Sequence, residues 1–301
     1  MSENCPRKRP DRRIWCGAAA LIACAVAAPA SACEARLGTL QADAIAYDPF
    51  TTAGNEASVR LQVELTDGDS CDVAVQLIDD SGAPLRLVKF GPNAVTFRPE
   101  LRAQGSVSAS TDPVDATVHL TSASPRAQIE WRLVLVNDAI VPPGDYALDI
   151  GARLRNSELS SPLASRGAIV LRSIARAQAN LAGTAGKFST GSDAATIDLG
   201  ELTTGKTGRA FLQVRANTAA HVSFRSTNSG WLVNDRAPNS RVRYAMELAG
   251  RPINLDAVTT TTLDAPQSID GGAFSIDVTV GKVEGAAAGR YSDTVTIDVS
   301  P

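Results

Sequence analysis

Apolar and polar residues alternate strictly along several short segments of the chain. This period of two predicts half-buried β-strands, because successive side chains of a strand point to opposite faces of its sheet. The clearest segments are VRLQVEL (59–65), DVAVQLI (72–78), RAFLQVRA (209–216), FSIDVTV (274–280) and DTVTIDV (293–299). Clusters of Gly, Asp, Asn, Pro and Ser lie between them and are typical of turns. No amphipathic helix of three turns is evident, so the pattern predicts an all-β protein made of antiparallel sandwiches.

A short pattern occurs twice, about 145 residues apart. PGDYALDIGARL (143–154) and AGRYSDTVTIDV (288–299) each place a glycine, one further residue and a tyrosine before an alternating strand. Such a tyrosine can seal one end of a sandwich with its ring and use its hydroxyl in a hydrogen bond. The repeat predicts two similar domains, at 33–175 and 176–301.

The two predicted domains differ in the sequence after the repeated pattern. In the first, the chain continues through RNSELSSPLASR into a further strand, GAIVLRS (167–173). In the second, only Ser300 and Pro301 come after the repeated strand. We therefore expect the first sandwich to contain its own last strand and the C-terminal one to lack it.

The first 32 residues are typical of a secretory signal peptide. Basic residues precede the apolar stretch CGAAALIACAVAAPA (16–30), and the small residues Ser31 and Ala32 complete an A-x-A site with Ala30. Cleavage after Ala32 would leave a chain that begins at Cys33. Beyond this leader, the sequence has no apolar run of the roughly 20 residues that a membrane-spanning helix requires.

The charge of the chain argues against a nucleic-acid partner. The leader holds five of the 29 basic and two of the 32 acidic residues, which leaves 24 basic and 30 acidic residues and a formal charge of −6. Binding to phosphates requires clustered Lys and Arg, which an acidic chain of this kind does not offer.

Cys33 and Cys71 are the two cysteines outside the predicted leader. Export leads to an oxidising compartment, so a disulfide between them is the simpler interpretation. Lipidation of Cys33 is the alternative. It would leave Cys71 unpaired, and Ala30 stands where a lipidation signal favours leucine.

Residue patterns for catalysis or metal binding are weak. His119 and His221 fall in different predicted domains and have no neighbouring Cys or carboxylate at metal-ligand spacing. The patterns S-x-x-K, G-x-S-x-G and a phosphate loop do not occur. We therefore predict that the chain is not an enzyme and uses no metal or cofactor, and we expect Trp131 to pack in a core strand.

Several motifs resemble the spore coat protein U group, which includes the secreted pilins of archaic chaperone–usher systems. The first resemblance is carried by CEARLGTL (33–40), YDPF (47–50) and SCDVAVQL (70–77). TIDLGELTTGKTGRAFLQVRAN (196–217) and STNSGWL (226–232) are similar to the pilin domains of related two-domain subunits. The final AGRYSDTVTIDV resembles the usual ending of the family. Together these motifs extend over most of residues 33–301.

The resemblance implies an immunoglobulin-like fold that lacks its last strand. In such a pilin domain an open hydrophobic groove accepts a strand from a neighbouring subunit, and a periplasmic chaperone fills the groove before assembly. Applied to this chain, the groove would lie beside strand 291–299 of the C-terminal domain. Its residues would be Tyr291, Val295, Ile297 and Val299.

The predicted start of the exported chain suggests a place within such a pilus. A polymerising pilin needs a donor segment before its first domain, whereas Cys33 directly follows the predicted cleavage site. We therefore expect a tip subunit that passes through the periplasm and an outer-membrane usher to the cell surface. Its first domain would be an adhesin for an abiotic surface or a receptor, promoting biofilm formation. The alternatives are a secreted or spore-coat-like structural protein that does not polymerise, and a lipoprotein acylated at Cys33.

The adhesive surface is expected at the end of the first sandwich that lies away from the second. Loops 66–70, 110–126 and 155–166 would meet there if loops alternate between the two ends. The apolar residues Leu159, Pro162, Leu163 and Val114 would then be exposed for binding. The alternative is that they simply cover the end of the sandwich.

Overall fold

The alternating segments form strands in the computed structural model, which describes residues 33–51, 55–92, 94–137, 139–155, 165–188 and 191–301. Within these ranges every regular secondary-structure element is a β-strand, which confirms the all-β prediction. No helix long and apolar enough to cross a membrane occurs among them. The predicted leader, 1–32, lies outside the described residues.

The described residues of the first half of the chain form eleven strands and those of the second half ten. Those of the first half are β1 (Glu34–Ala42), β2 (Ile45–Tyr47), β3 (Ala57–Asp67), β4 (Ser70–Asp79), β5 (Val88–Phe90), β6 (Val95–Arg102), β7 (Val107–Ala109), β8 (Asp115–Thr121), β9 (Arg126–Asn137), β10 (Gly144–Leu154) and β11 (Ser165–Ser173). Those of the second half are β12 (Ala177–Ala182), β13 (Thr207–Ala216), β14 (Ala220–Ser226), β15 (Trp231–Asn234), β16 (Arg241–Leu248), β17 (Arg251–Ile253), β18 (Thr259–Leu263), β19 (Gly272–Val280), β20 (Tyr291–Ser292) and β21 (Val295–Ser300).

The alternating apolar residues of these strands are the ones buried on one face of each sheet. In β3, Val59, Leu61 and Val63 are fully buried, whereas the residues between them are not. Four of the five alternating segments lie within β3, β4, β13 and β19, and the fifth begins two residues before β21.

The first eleven strands form a two-sheet sandwich. One sheet has the order β1-β3-β9-β6-β5 and the other the order β2-β11-β10-β4-β8-β7. Trp131 is fully buried between them, as expected for a core strand. A disulfide joins Cys33, just before β1, to Cys71 near the start of β4, which confirms the predicted pair. It closes a loop with a sequence separation of 38.

The remaining strands form a second sandwich with its own core. Its larger sheet has the order β12-β13-β19-β16-β15-β20, with β17 beside β16, and its smaller sheet has the order β18-β14-β21. The buried residues of the first core lie between Leu40 and Leu171, and those of the second between Leu212 and Val280. The chain from Cys33 to Pro301 nevertheless forms one compact unit, and a domain boundary at 175/176 remains a prediction.

Strand order reveals a close correspondence between the two sandwiches. The sheet β1-β3-β9-β6-β5 matches β12-β13-β19-β16-β15 strand for strand. In the other sheet, β8, β4 and β10 match β18, β14 and β21. Strands β7, β11 and β2 have no counterpart among the described residues of the second sandwich.

Candidate functional site: an open edge in the second sandwich

Among the strands that the structure describes, β21 has a partner on one side only. Its residues run antiparallel to β14, from Val295 opposite Ser226 to Ser300 opposite His221. No described strand pairs with its other edge. An unpaired edge presents a row of backbone N–H and C=O groups that can bind another strand. The exposed Asp298 is the one charged side chain on β21 that opposes such pairing.

The corresponding strand of the first sandwich is paired on both sides. Strand β10 lies between β4 and β11, and all nine residues of β11 pair with it. Aligning the two Gly-x-Tyr patterns places Ile150 at the position of Val295, and Ala152 at that of Ile297. Ile150 is 2 % exposed and Ala152 0 % exposed, whereas Val295 and Ile297 are only partly buried. The difference is the cover that β11 provides.

Partly buried and exposed side chains alternate along β21, as expected for an edge strand that covers one side of a core. Val295, Ile297 and Val299 are partly buried and pack against the second core. The residues between them are exposed. The three predicted groove residues on this strand therefore share one face and line one side of a common surface.

The opposite side of this surface is formed by β12. The two strands are neighbours, and Ala177, Ala179 and Leu181 of β12 are partly buried against the same core. Ala177 lies opposite Ala216, close to the connection that leads from β13 into β14. Val299 lies opposite Val222, near the beginning of β14. The Ala177 end of β12 and the Val299 end of β21 are therefore at the same end of the sandwich.

The chain segment 197–202 continues this side beyond β12. Ile197, Leu199 and Leu202 are partly buried against the second core, yet the segment pairs with no described strand. Ile197 and Leu199 pack so closely against Gly208 that a side chain there would collide with them. We call the surface between β21 on one side and β12 with segment 197–202 on the other the acceptor groove.

The two tyrosines of the repeated pattern have the same local geometry. The Tyr146 hydroxyl donates a hydrogen bond to the carbonyl of Pro142 at 3.0 Å, and the Tyr291 hydroxyl donates one to that of Ala287 at 2.8 Å. In each case the acceptor lies four residues earlier. Gly144 and Gly289, two residues before the tyrosines, have positive φ angles of 147° and 152°. A glycine tolerates this conformation where other residues are strained.

Tyr291 does not lie on the open edge itself. It belongs to β20 and pairs with Asn234 of β15, in the larger sheet of the second sandwich. The structure therefore brings Val295, Ile297 and Val299 together and separates Tyr291 from them. Tyr291 closes the end of the sandwich where the chain passes from one sheet to the other.

Asp293 fixes this passage between the sheets, a role that the sequence patterns did not reveal. Its carboxylate accepts hydrogen bonds from the hydroxyls of Tyr244 and Ser226, both at 2.6 Å, and from the backbone N–H of Asn228 at 3.0 Å. Burial, together with the nearby Asp293 carboxylate, raises the pKa of the Tyr244 hydroxyl above its ordinary value. The only sequence signal for this role is an acidic residue between a turn tyrosine and an alternating strand.

One of the residues predicted to form an adhesive surface is buried. Val114 is 0 % exposed, and its carbonyl accepts a hydrogen bond from the N–H of Leu77 at 3.0 Å. The expected loop 110–126 contains strand β8, whose alternating Ala116, Val118 and Leu120 face the core. The expectation that Val114 is available to a receptor was therefore wrong. Leu159, Pro162 and Leu163 lie outside the described residues.

The histidines take part in ordinary surface contacts. His119 Nδ1 lies 2.8 Å from a carboxylate oxygen of Asp72, and His221 Nδ1 lies 3.3 Å from the hydroxyl of Thr262. Within the described ranges, no group of three or more His, Cys, Asp or Glu side chains could hold a metal ion.

Comparisons with known proteins gave matches only at the level of structure. No family model matches the chain, and no curated protein matches it. The chaperone–tip adhesion subunit pre-assembly complex of the archaic chaperone–usher Csu pili of Acinetobacter baumannii matches with a TM-score of 0.42 and 10 % identity, over 86 % of this chain and 97 % of that chain. The CupB6 tip adhesin of Pseudomonas aeruginosa matches with a TM-score of 0.37 and 12 % identity, over 89 % and 93 %.

A third similar structure is the CFA/I adhesin CfaE of enterotoxigenic E. coli, with a TM-score of 0.38 and 10 % identity, over 89 % of this chain and 81 % of that chain. At these identities and TM-scores the similarities carry no argument of their own.

Proposed function

We propose that the second sandwich is a strand acceptor, completed by a β-strand from another polypeptide that lies along β21 in the acceptor groove. The observation that carries this proposal is the strand order, in which β10 has β11 beside it and the matching β21 has an open edge. Main-chain hydrogen bonds to that edge would supply affinity. Alternate apolar side chains of the donor would cover Val295, Ile297 and Val299.

The first sandwich supports a different role for the N-terminal half. It contains its own last strand, β11, in which Ile169 and Leu171 are 0 % exposed. A disulfide joins Cys33, before its first strand, to Cys71 of β4. A complete domain followed by an acceptor domain is the arrangement that the sequence resemblance to two-domain pilus subunits implies. We therefore propose an adhesive tip subunit of a chaperone–usher pilus, which promotes attachment and biofilm formation.

The partners are part of the same proposal. A periplasmic chaperone would cover the open edge before assembly, because an exposed edge beside an apolar groove promotes aggregation. An outer-membrane usher would pass the protein to the cell surface, where a strand from the adjacent subunit replaces the chaperone. Segment 155–166, with Leu159, Pro162 and Leu163, remains the proposed contact with an abiotic surface or receptor.

Strand β11 provides a probe for this function. A synthetic peptide of residues 165–173, SRGAIVLRS, which we call the β11 peptide, has the sequence that fills the matching position in the first sandwich. Its control is a peptide of the same composition in an order that breaks the alternation. The substrate is the exported chain, residues 33–301. Limited proteolysis should cleave its second sandwich rapidly when no peptide is present. The β11 peptide should slow this cleavage, and the scrambled peptide should not.

Two results would count against the proposal. Equal resistance of both sandwiches without any peptide would mean that the second is already complete, which favours a secreted structural protein that does not polymerise. Rapid cleavage of the second sandwich at the same rate with and without the β11 peptide would mean that the groove does not accept a strand.

A further inference from the structure

Asn217 connects the two sandwiches from a fully buried position. It follows β13 directly and is 0 % exposed. Its side-chain amide donates hydrogen bonds to the carbonyls of Ile174, at 2.8 Å, and Val141, at 3.2 Å. Its side-chain oxygen accepts the N–H of Arg176 at 2.8 Å, and its own N–H donates to the carbonyl of Arg176 at 3.1 Å. These bonds fasten the residue before β12 to the end of the first sandwich.

A second set of contacts holds the outer face of β12. The guanidinium of Arg215 contacts two aromatic rings and lies 4.7 Å from the centre of Phe50 and 4.3 Å from that of Phe188. The same guanidinium donates to the side-chain oxygen of Gln178, on β12, at 2.8 and 2.6 Å. Phe50 belongs to the first half of the chain and Phe188 to the second. Arg215 thus contacts both halves while it binds β12.

An ion pair adds to this connection. Arg176 Nε lies 2.9 Å from a carboxylate oxygen of Asp48, in the first half of the chain. The Asp48 side chain is 19 % exposed and that of Arg176 50 % exposed. Such a partly exposed pair contributes little stability by itself, but it orients the residue that Asn217 also binds.

Strand β12 therefore serves two surfaces. Ala177 and Ala179 point into the acceptor groove, whereas Gln178, between them, points to the opposite face and binds Arg215. Arg176, immediately before the strand, is held by Asn217. One strand is thus both a side of the groove and the point at which the second sandwich is attached to the first.

We infer that Asn217 is a positioning residue for strand acceptance, which holds β12 at the side of the acceptor groove and couples occupation of the groove to the junction between the sandwiches. This inference rests on the proposed function. When a side of the groove is already held in place, less conformational entropy is lost as the donor strand binds. Because coupling between sites is reciprocal, a bound donor strand should in turn stabilise the junction.

The test compares Asn217→Ala with Asn234→Ala. Asn234 is also buried, at 1 % exposure. Its side chain accepts two backbone N–H groups, those of Arg236 and Ala237, and donates to the carbonyls of Ala287 and Ala288. These four partners all belong to the second sandwich. Both variants lose a buried amide with several hydrogen bonds, so they are matched in the kind of damage and differ in its location.

Two quantities are measured on the exported chain and both variants. The first is the affinity for the β11 peptide. The second is hydrogen exchange, with and without that peptide, at the backbone N–H of Ile174, which donates to the carbonyl of Tyr47 at 3.2 Å and so keeps its acceptor in both variants. In the unaltered chain the peptide should slow exchange at Ile174, although this residue lies outside the groove. Asn217→Ala should bind the peptide roughly tenfold more weakly, which is the effect of losing one to two buried hydrogen bonds, and should lose the effect at Ile174. Asn234→Ala should keep that effect.

The failures are distinguishable. If Asn217→Ala binds the peptide as tightly as the unaltered chain and keeps the effect at Ile174, the inference is wrong and strand acceptance stands. If Asn234→Ala loses the effect to the same extent, general destabilisation explains the result and the inference is also wrong. If the unaltered chain does not bind the β11 peptide, the proposed function fails and this inference fails with it.

Discussion

Two neighbouring substitutions on β21 should have opposite consequences for strand acceptance. Ile297→Asp is expected to abolish it and Thr296→Asp to leave it intact. Ile297 lies opposite the fully buried Phe224 and is partly buried against the core, whereas Thr296 is exposed on the other face of the strand. The pair therefore differs in which face of one strand receives the same charge.

The size of the effect depends on what a donor strand would do to the new carboxylate. In the free protein an aspartate at position 297 keeps some contact with water, because the groove is open. A bound strand removes that water, and an unpaired buried charge costs about 3–5 kcal/mol. The lower value corresponds to a loss of affinity of roughly 150-fold, at about 1.4 kcal/mol per factor of ten. Thr296→Asp places its charge in solvent, where a change of about 0.5 kcal/mol or less is expected.

The assay is binding of a fluorescently labelled β11 peptide, with thermal unfolding of each variant as a check that it remains folded. Lowering the pH through the ordinary carboxyl pKa of about 4 should restore part of the affinity of Ile297→Asp, because protonation removes the charge. The reasoning would be refuted if Ile297→Asp bound the peptide within about threefold of the unaltered chain, or if Thr296→Asp lost as much affinity.

Three further predictions concern the supports of the fold. Replacing Cys33 and Cys71 by serine should lower the free energy of unfolding of the first sandwich by about 4 kcal/mol, the chain-entropy value for a separation of 38. Denaturant titration measures this free energy, and a loss of less than about 1 kcal/mol would contradict the prediction. Tyr291→Phe removes the hydroxyl that closes the end of the second sandwich and should cost about 1 kcal/mol in thermal unfolding, whereas unchanged stability would rule out this contribution. Because burial and Asp293 raise the pKa of Tyr244, the unfolded chain loses this proton first as the pH rises. Stability should therefore fall above about pH 10, and more steeply than in Tyr244→Phe; equal slopes in urea titrations would contradict this.

The strands and the tyrosine geometry could be predicted from the sequence because they depend on local patterns. Alternation along 59–65 and 209–216 is sufficient to identify β3 and β13, since one face of each strand must be buried. The Gly-x-Tyr repeat likewise identified two positions with the same hydrogen bond, because the glycine conformation and the acceptor four residues earlier are both local.

Features that depend on distant partners could not be predicted in the same way. Val114 is buried because it packs into the first hydrophobic core, whose other members lie far away in sequence. Asn217 follows a strand in a position typical of a turn residue, and its role depends on carbonyls of Val141 and Ile174 in the first sandwich. Tyr291 was grouped with the groove residues by its position in the chain, whereas the change of sheet at Asp293 places it elsewhere.

Hydrogen exchange along β21 tests the central claim most directly. In an antiparallel strand, alternate N–H groups point to opposite neighbours. In the exported chain alone, every second amide from Val295 to Ser300 should be protected by pairing with β14, and those between should exchange rapidly. Addition of the β11 peptide should protect this second set while leaving the first unchanged. Protection of all the amides without the peptide, or rapid exchange of the second set with it, would contradict the account of β21 as an open acceptor edge.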